Sequence, residues 1–217
     1  MKKISKGQVA VWILAILPVV LVAVVYQRLP AQIPIHWGLN GQVEYGDKWK
    51  LWIVAGMSLL MAVMFYFQPK FDPKRNNYEK FSVSYIGFQF ILMLFMLALT
   101  GICITEALRP GTVDVAMLVC LFVSLLVVYI GNVMPKFRMN WFCGIKNPWT
   151  LSSEAVWRRT HRVAGRLYFA SGVLGVIGAF IPNNIARFGL LLAPLLMASL
   201  VSTALSYLWY RAEQRVC

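Results

Sequence analysis

The chain has 217 residues, of which 59% are hydrophobic and only 13% charged, with a mean hydropathy of +0.66. A charged share about half that of a soluble domain excludes an ordinary water-soluble fold and points to a membrane protein. The formal net charge of +13 would suit nucleic acid if the 21 Lys and Arg formed one patch, but they concentrate in alternate loops, so no direct nucleic-acid partner is expected.

Lipid cannot hydrogen-bond to free backbone groups, so a span is a helix of about 20 mostly apolar residues. The first such stretch, Val9 to Tyr26, follows Lys2, Lys3 and Lys6. It runs into "YQRLP" without a small-x-small cleavage site and reads as a retained helix rather than a secretory signal. The loop from Gln27 to Lys50 comes next. Pro30 and Pro34 disfavour helix there, and Asn40-Gly41 is a tight-turn signal, which together predict a small extended or hairpin cap. His36 and Trp37 lie beside that turn and are candidates for ligand contact. The chain's other histidine, His161, falls on the opposite side of the membrane, so a histidine-rich metal site is not expected.

The second, third and fourth stretches are Leu51 to Phe67, Val83 to Thr105 and Val115 to Met134. A polar segment follows, "NWFCGIKNPWTLSSEAVWRRTHR" from Asn140 to Arg162, with three of the eight tryptophans. Hydroxyl caps after Pro148 predict a helix from about Ser152. That helix puts Glu154, Arg158, Arg162 and Arg166 on one face, four residues apart, and Trp157, His161 and Ala164 on a less polar neighbouring face. Such an amphipathic helix fits the membrane interface before the chain turns into a short fifth span, Leu167 to Ile181. Glycines at 172, 175 and 178 make that span a close-packing face. The sixth stretch is Phe188 to Tyr210.

The expected architecture is therefore an all-α polytopic membrane protein with six transmembrane helices, an extracytoplasmic hairpin-like loop and a cytoplasmic interfacial helix. It divides into 1–67 (two helices and the outer loop, 27–50), 68–134 (two helices) and 135–217 (a cytoplasmic loop, 135–163, and two helices), all in one membrane domain. Sixteen of the basic residues fall on one side of this arrangement and five on the other. Basic residues flanking spans stay in the cytoplasm, which places both termini inside and the 140–162 segment with them. Anionic lipid of the inner leaflet is then a partner for most of that charge.

Cys103, Cys120, Cys143 and Cys217 show no paired or metal-ligand spacing and read as free. No predicted span carries a carboxylate at its centre, and no phosphate-binding loop, HExxH or GxSxG is present. No catalytic, metal or cofactor-binding residue is nominated.

The segment Gly131 to Gly165 resembles the signature of the bacterial SdpI family, toxin-immunity integral membrane proteins: a Gly-Asn pair, a later Asn, a "GIRTPWTL"-like run, then "VW" and "THR". The matching positions are Gly131, Asn132, Asn140, Gly144, Ile145, Pro148, Trp149, Thr150, Leu151, Trp157, Thr160, His161, Arg162 and Gly165. Lys146 and Asn147 stand where the family often has Arg and Thr, and lysine lacks the planar fork of arginine. The segment Leu29 to Trp49, with Pro34, His36, Trp37 and Gly41, is similar to the small N-terminal domain of unknown function found in these proteins. The resemblance implies protection against an extracellular peptide toxin and, for the founding member, capture of a cytoplasmic repressor at the membrane. With no catalytic constellation among the residues, neither an enzyme nor a cofactor is expected. Two other readings stand beside the resemblance: a small permease or exporter of a peptide, lipid or solute, and a membrane-embedded enzyme using Asn132, Asn140, Thr150 and His161.

Overall fold

The computed structural model describes residues 5–215. It is helical apart from one hairpin: α1 (Lys6–Val25), β1 (Gln32–Trp37), β2 (Val43–Asp47), α2 (Leu51–Phe71), α3 (Ser82–Leu108), α4 (Val115–Val133), α5 (Pro148–Ser152), α6 (Glu154–Ala179) and α7 (Asn184–Gln214). Side-chain caps start the long helices where the sequence offers them. Ser5 accepts from the Gln8 N–H at 3.2 Å, Asp114 from Met117 at 2.8 Å and Asn183 from Ala186 at 2.9 Å, each satisfying a donor the helix leaves open.

Among the described residues, five helical segments are long and apolar enough to cross a membrane: Lys6–Arg28, Lys48–Phe71, Arg75–Leu108, Val115–Lys136 and Asn184–Gln214. The expected fifth span takes a different form. The interfacial helix and the short span Leu167 to Ile181 are one 26-residue helix, α6, with no proline inside it. The helix begins at Glu154, behind the cap Ser153, rather than at Ser152. Its first half carries Glu154, Arg158, Arg159, Arg162 and Arg166, which keeps its average hydropathy below that of a span. At 1.5 Å per residue, 26 residues reach about 39 Å, so the one rod is long enough for the expected interfacial helix and the expected short span together.

The helices pack as two groups of three. α1, α2 and α3 form the first, and α4, α6 and α7 the second; α3 against α4 is the main helix contact between them. The first group interlocks large side chains. Val11, Ala15, Ala62, Leu92 and Met93 form its middle, with Phe65 set edge-on to Phe88 at 5.5 Å.

The second group packs backbone on backbone. A Cβ at Gly131 of α4 would come within 2.8 Å of both the Gly165 carbonyl oxygen and the Phe169 Cα on α6. At Gly172 it would meet the Val128 nitrogen at 2.6 Å, and at Gly175 the Leu191 side chain at 2.7 Å. The glycines of α6 are thus a packing face, as expected, and they set how closely α4 and α7 approach.

The hairpin forms in the expected loop. β1 and β2 pair antiparallel, with a bulge between Pro34 and His36. Proline has no N–H to give the ladder, so an irregularity beside it is the tolerated arrangement. The turn is longer than a two-residue Asn-Gly turn: the Gly41 N–H donates to the Gly38 carbonyl at 3.0 Å, and Gly41 alone takes positive φ, +82°. This is a tight turn followed by a left-handed glycine inside a five-residue loop. Leu29 and Ile33 bury the base of the hairpin against Val22, Leu51, Ala55 and Ala107.

Interhelical bonds sort the loops between two ends of the molecule. Asn184 of α7 donates to the Leu39 carbonyl at 3.1 Å, and Arg187 clasps Asp114 at 2.9 and 3.0 Å; these gather the hairpin, the 109–114 turn and the start of α7 at one end. Burial raises the Asp114 carboxyl, but the Met117 N–H and Arg187 outweigh it and hold the group below the usual carboxylate range. Asp72 and Asn77 reach the 139–141 segment at the other end.

Candidate functional site

The signature residues meet at the end opposite the hairpin, in a folded loop between α4 and α6. Asn147 and Thr150 build its second half. The Asn147 side chain accepts from the Thr150 N–H at 2.9 Å and the Thr150 hydroxyl accepts from the Asn147 N–H at 3.1 Å, a reciprocal cap with Pro148 at the first helical position. The Asn147 amide also donates to Ser206 of α7 at 2.9 Å, and Trp149 packs on Tyr207 with ring centres 5.1 Å apart. The departure from the family at Asn147 therefore keeps a capping side chain and gives α5 a tie to α7.

Asn140 builds the first half. Its carbonyl oxygen accepts from the N–H groups of Phe142 and Cys143 at 2.9 and 2.6 Å, and its amide donates to the carbonyls of Arg138 and Cys143 at 2.8 and 3.1 Å. One fully buried side chain thereby stands in for the backbone bonds that a non-helical loop lacks.

Trp157 and His161, one turn apart on α6, form the floor. Their rings stack 3.9 Å apart, 1% and 0% exposed, and the indole N–H donates to the Phe137 carbonyl at 2.9 Å. They are core residues of the loop, not the interfacial anchors that their sequence pattern suggests. His161 accepts from the Ile145 N–H at Nε2, 3.1 Å, and contacts the Trp157 carbonyl at Nδ1, 2.9 Å. That pair of partners assigns the neutral ring with its proton on Nδ1. Burial pushes its pKa down to about 4. With both nitrogens committed, the ring offers no lone pair to a substrate, so a general-base role has no geometric support.

Gly144 has φ +108°, and a Cβ there would overlap the His161 ring, so glycine is required both for the backbone angle and for the space. Cys143, next to it, is a neutral thiol: burial pushes its pKa up to about 12, with Asp72 adding to the rise and Lys146 opposing it. It packs with Tyr78, Phe81, Tyr85 and Phe137 and so has a place in the core. Cys103 and Cys120 are also free; Cys217 lies outside the described residues.

Not every signature residue joins this cluster. Gly131 sits at the α4–α6 crossing, and Asn132 is exposed toward an apolar groove with Tyr129 and Phe169. Thr160 is buried beside His161 in sequence, its hydroxyl without a partner among the described residues. Lys146 and Arg162 are exposed, Lys146 donating to the Phe142 carbonyl at 2.9 Å. At the far end, Pro34 is buried, Trp37 half-buried, and His36 and Gly41 exposed.

The loop before α3 contributes residues that sequence reading passed over. Asp72, 2% exposed, accepts from the Trp141 N–H and the Tyr78 hydroxyl, both at 2.9 Å, and from the Lys74 N–H at 2.7 Å. Asn77 donates to the Met139 carbonyl at 2.8 Å. The signal available was a carboxylate, one of two with Glu79, in a loop otherwise charged by Lys70, Lys74, Arg75 and Lys80. Charges near the spans at the hairpin end are likewise engaged: Glu106 accepts from the N–H groups of Gly111, Thr112 and Val113. Among the described residues, no group of three His, Cys, Asp or Glu could hold a metal.

Fold and site define a multi-pass α-helical membrane protein with a hairpin at one end and a clasped, glycine-pinned loop at the other. The SdpI/YfhL protein family matches residues 136–206, which hold that loop and most of α6 and α7, and a domain of unknown function, DUF1648, matches residues 13–66, which hold the hairpin. Both matches fall where the sequence resemblance to the SdpI family and to its small N-terminal domain lies. It is 26% identical over 190 residues to the Immunity protein SdpI of Bacillus subtilis (strain 168), covering 87% of this chain and 88% of that one. No solved structure matches it.

Proposed function

We propose that the chain is an immunity protein of the cytoplasmic membrane that protects its cell against an extracellular peptide toxin, with both termini in the cytoplasm. The observation that carries the reading is the near end-to-end similarity to a relative named for immunity, which includes both the hairpin domain and the signature loop. The orientation follows from the sixteen basic residues on the signature side against five on the hairpin side.

In that orientation the hairpin faces outward, and its exposed Leu39, Val43, Tyr45 and Trp49, near His36 and Trp37, supply an apolar surface for a peptide. The signature block faces inward. Its exposed Trp141, Phe142, Lys146 and Arg162 supply a rigid basic and aromatic surface on which a cytoplasmic repressor would dock. Deleting the gene and challenging the cells with the cognate or a related toxin tests the reading. Increased killing, reversed by the intact gene, is the expected result; unchanged sensitivity contradicts it.

A further inference from the structure

A pocket of about 340 Å³ opens at the signature end where three segments converge. Asn77 and Lys80 come from the turn before α3, Arg138 and Met139 from the loop after α4, and Glu154, Trp157 and Arg158 from the start of α6. Its walls are fixed: Asn77 donates to the Met139 carbonyl at 2.8 Å and Trp157 to the Phe137 carbonyl at 2.9 Å. Lys80 is steadied by the Asn77 side-chain oxygen at 3.2 Å. Lys80, Arg138 and Arg158 are all exposed, so their positive heads are not spent on the core.

Three cations against the single carboxylate of Glu154 leave the pocket positive. Guanidinium forks match the paired oxygens of a phosphate, and basic pockets at the ends of membrane helices are where lipid headgroups bind. Glu154 repels the phosphate itself but accepts from a hydroxyl a few atoms away. A singly charged phosphodiester bearing hydroxyls therefore suits both parts of the pocket. A zwitterionic headgroup would add a positive charge to a site already in excess of it. Val83, three residues beyond Lys80 at the start of α3, is 85% exposed and offers an acyl chain an apolar surface.

We propose that this pocket binds the phosphodiester headgroup of a hydroxylated anionic lipid of the phosphatidylglycerol class, with phosphate at Lys80, Arg138 and Arg158 and headgroup hydroxyl at Glu154. The site is independent of the immunity reading and of which end faces the cytoplasm. Native mass spectrometry of the full chain, titrated with phosphatidylglycerol, phosphatidylethanolamine or phosphatidylcholine, counts the retained lipid directly.

Phosphatidylglycerol should be retained at least fivefold over phosphatidylcholine, and the R138A/R158A double variant should lose most of that preference. Lys80→Gln should lose part of it. Arg166→Ala removes an exposed charge from the same helix outside the pocket and should change nothing. All four positions are exposed, so folding is not at stake, and unchanged melting of each variant checks this. Equal loss in R138A/R158A and R166A, or no loss in either, would overturn the proposal in favour of diffuse surface charge. Displacement of the lipid by equimolar free glycerol phosphate would overturn the lipid assignment, and displacement by an acidic peptide would reassign the pocket to protein docking.

Discussion

The two halves of the molecule are held together by opposite means. α1 to α3 interlock large apolar and aromatic side chains, whereas α4, α6 and α7 touch through glycines and enclose a polar loop. Side-chain packing tolerates adjustment because rotamers can move. Backbone contact does not, since a methyl group has nowhere to go. The half that carries the family signature is thus the one least able to absorb change, and substitutions should separate the two halves sharply.

The largest effect belongs to the α4–α6 crossing. Gly131→Leu would force a side chain into the Gly165 and Phe169 backbone and should cost more than about 3 kcal/mol, seen as loss of folded protein in detergent. Next is Asn140→Ala, which strands two N–H groups and two carbonyls inside the loop. A cost of about 3 kcal/mol in thermal or denaturant unfolding is expected, without loss of α1–α3 helicity.

A pH titration should sharpen the comparison at similar size. His161 is held at about 4, below its ordinary 6.5, so the unfolded chain takes up this proton before the folded one does. Its contribution is fully present above pH 6.5, shrinks as pH falls below that, and is lost by about pH 4, roughly 3 kcal/mol in all. Exposure of Trp157, followed by fluorescence, should follow that window, and it should flatten in a folded His161→Gln variant. The smallest effect lies in the first half: a Cβ at Gly101 of α3 meets nothing within 4 Å, so Gly101→Ala should leave the melting temperature unchanged or slightly raised.

The same contrast decides what the sequence reveals. Apolar runs mark α1 to α4 and α7 because lipid contact demands the same composition wherever it occurs, and Pro34 with Asn40-Gly41 announces a hairpin. α6 is harder to read. Its basic first half and glycine-rich second half look like two elements, because composition cannot show that both lie on one hydrogen-bonded rod.

Trp157 and His161 illustrate the limit more sharply. Helical spacing places them on one face, as predicted, but lipid and a folded loop are equally good reasons for a less polar face. Only the path of residues 137–147 over that face decides between them, together with Asp72, a contact 69 residues distant in sequence. The family resemblance found the block where physical pattern alone found an interfacial helix. It also grouped Asn132 with the signature, although that side chain points into an apolar groove away from the loop.

The proposed protective role is tested most directly by gain of function. Toxin-sensitive cells lacking their own immunity protein should survive a challenge with the peptide toxin when they express this chain, and should be killed when they express an equal amount of membrane-inserted Gly144→Val, whose signature loop cannot close on His161. Equal killing with and without the intact chain, at verified membrane expression and across cognate and related toxins, would contradict the account.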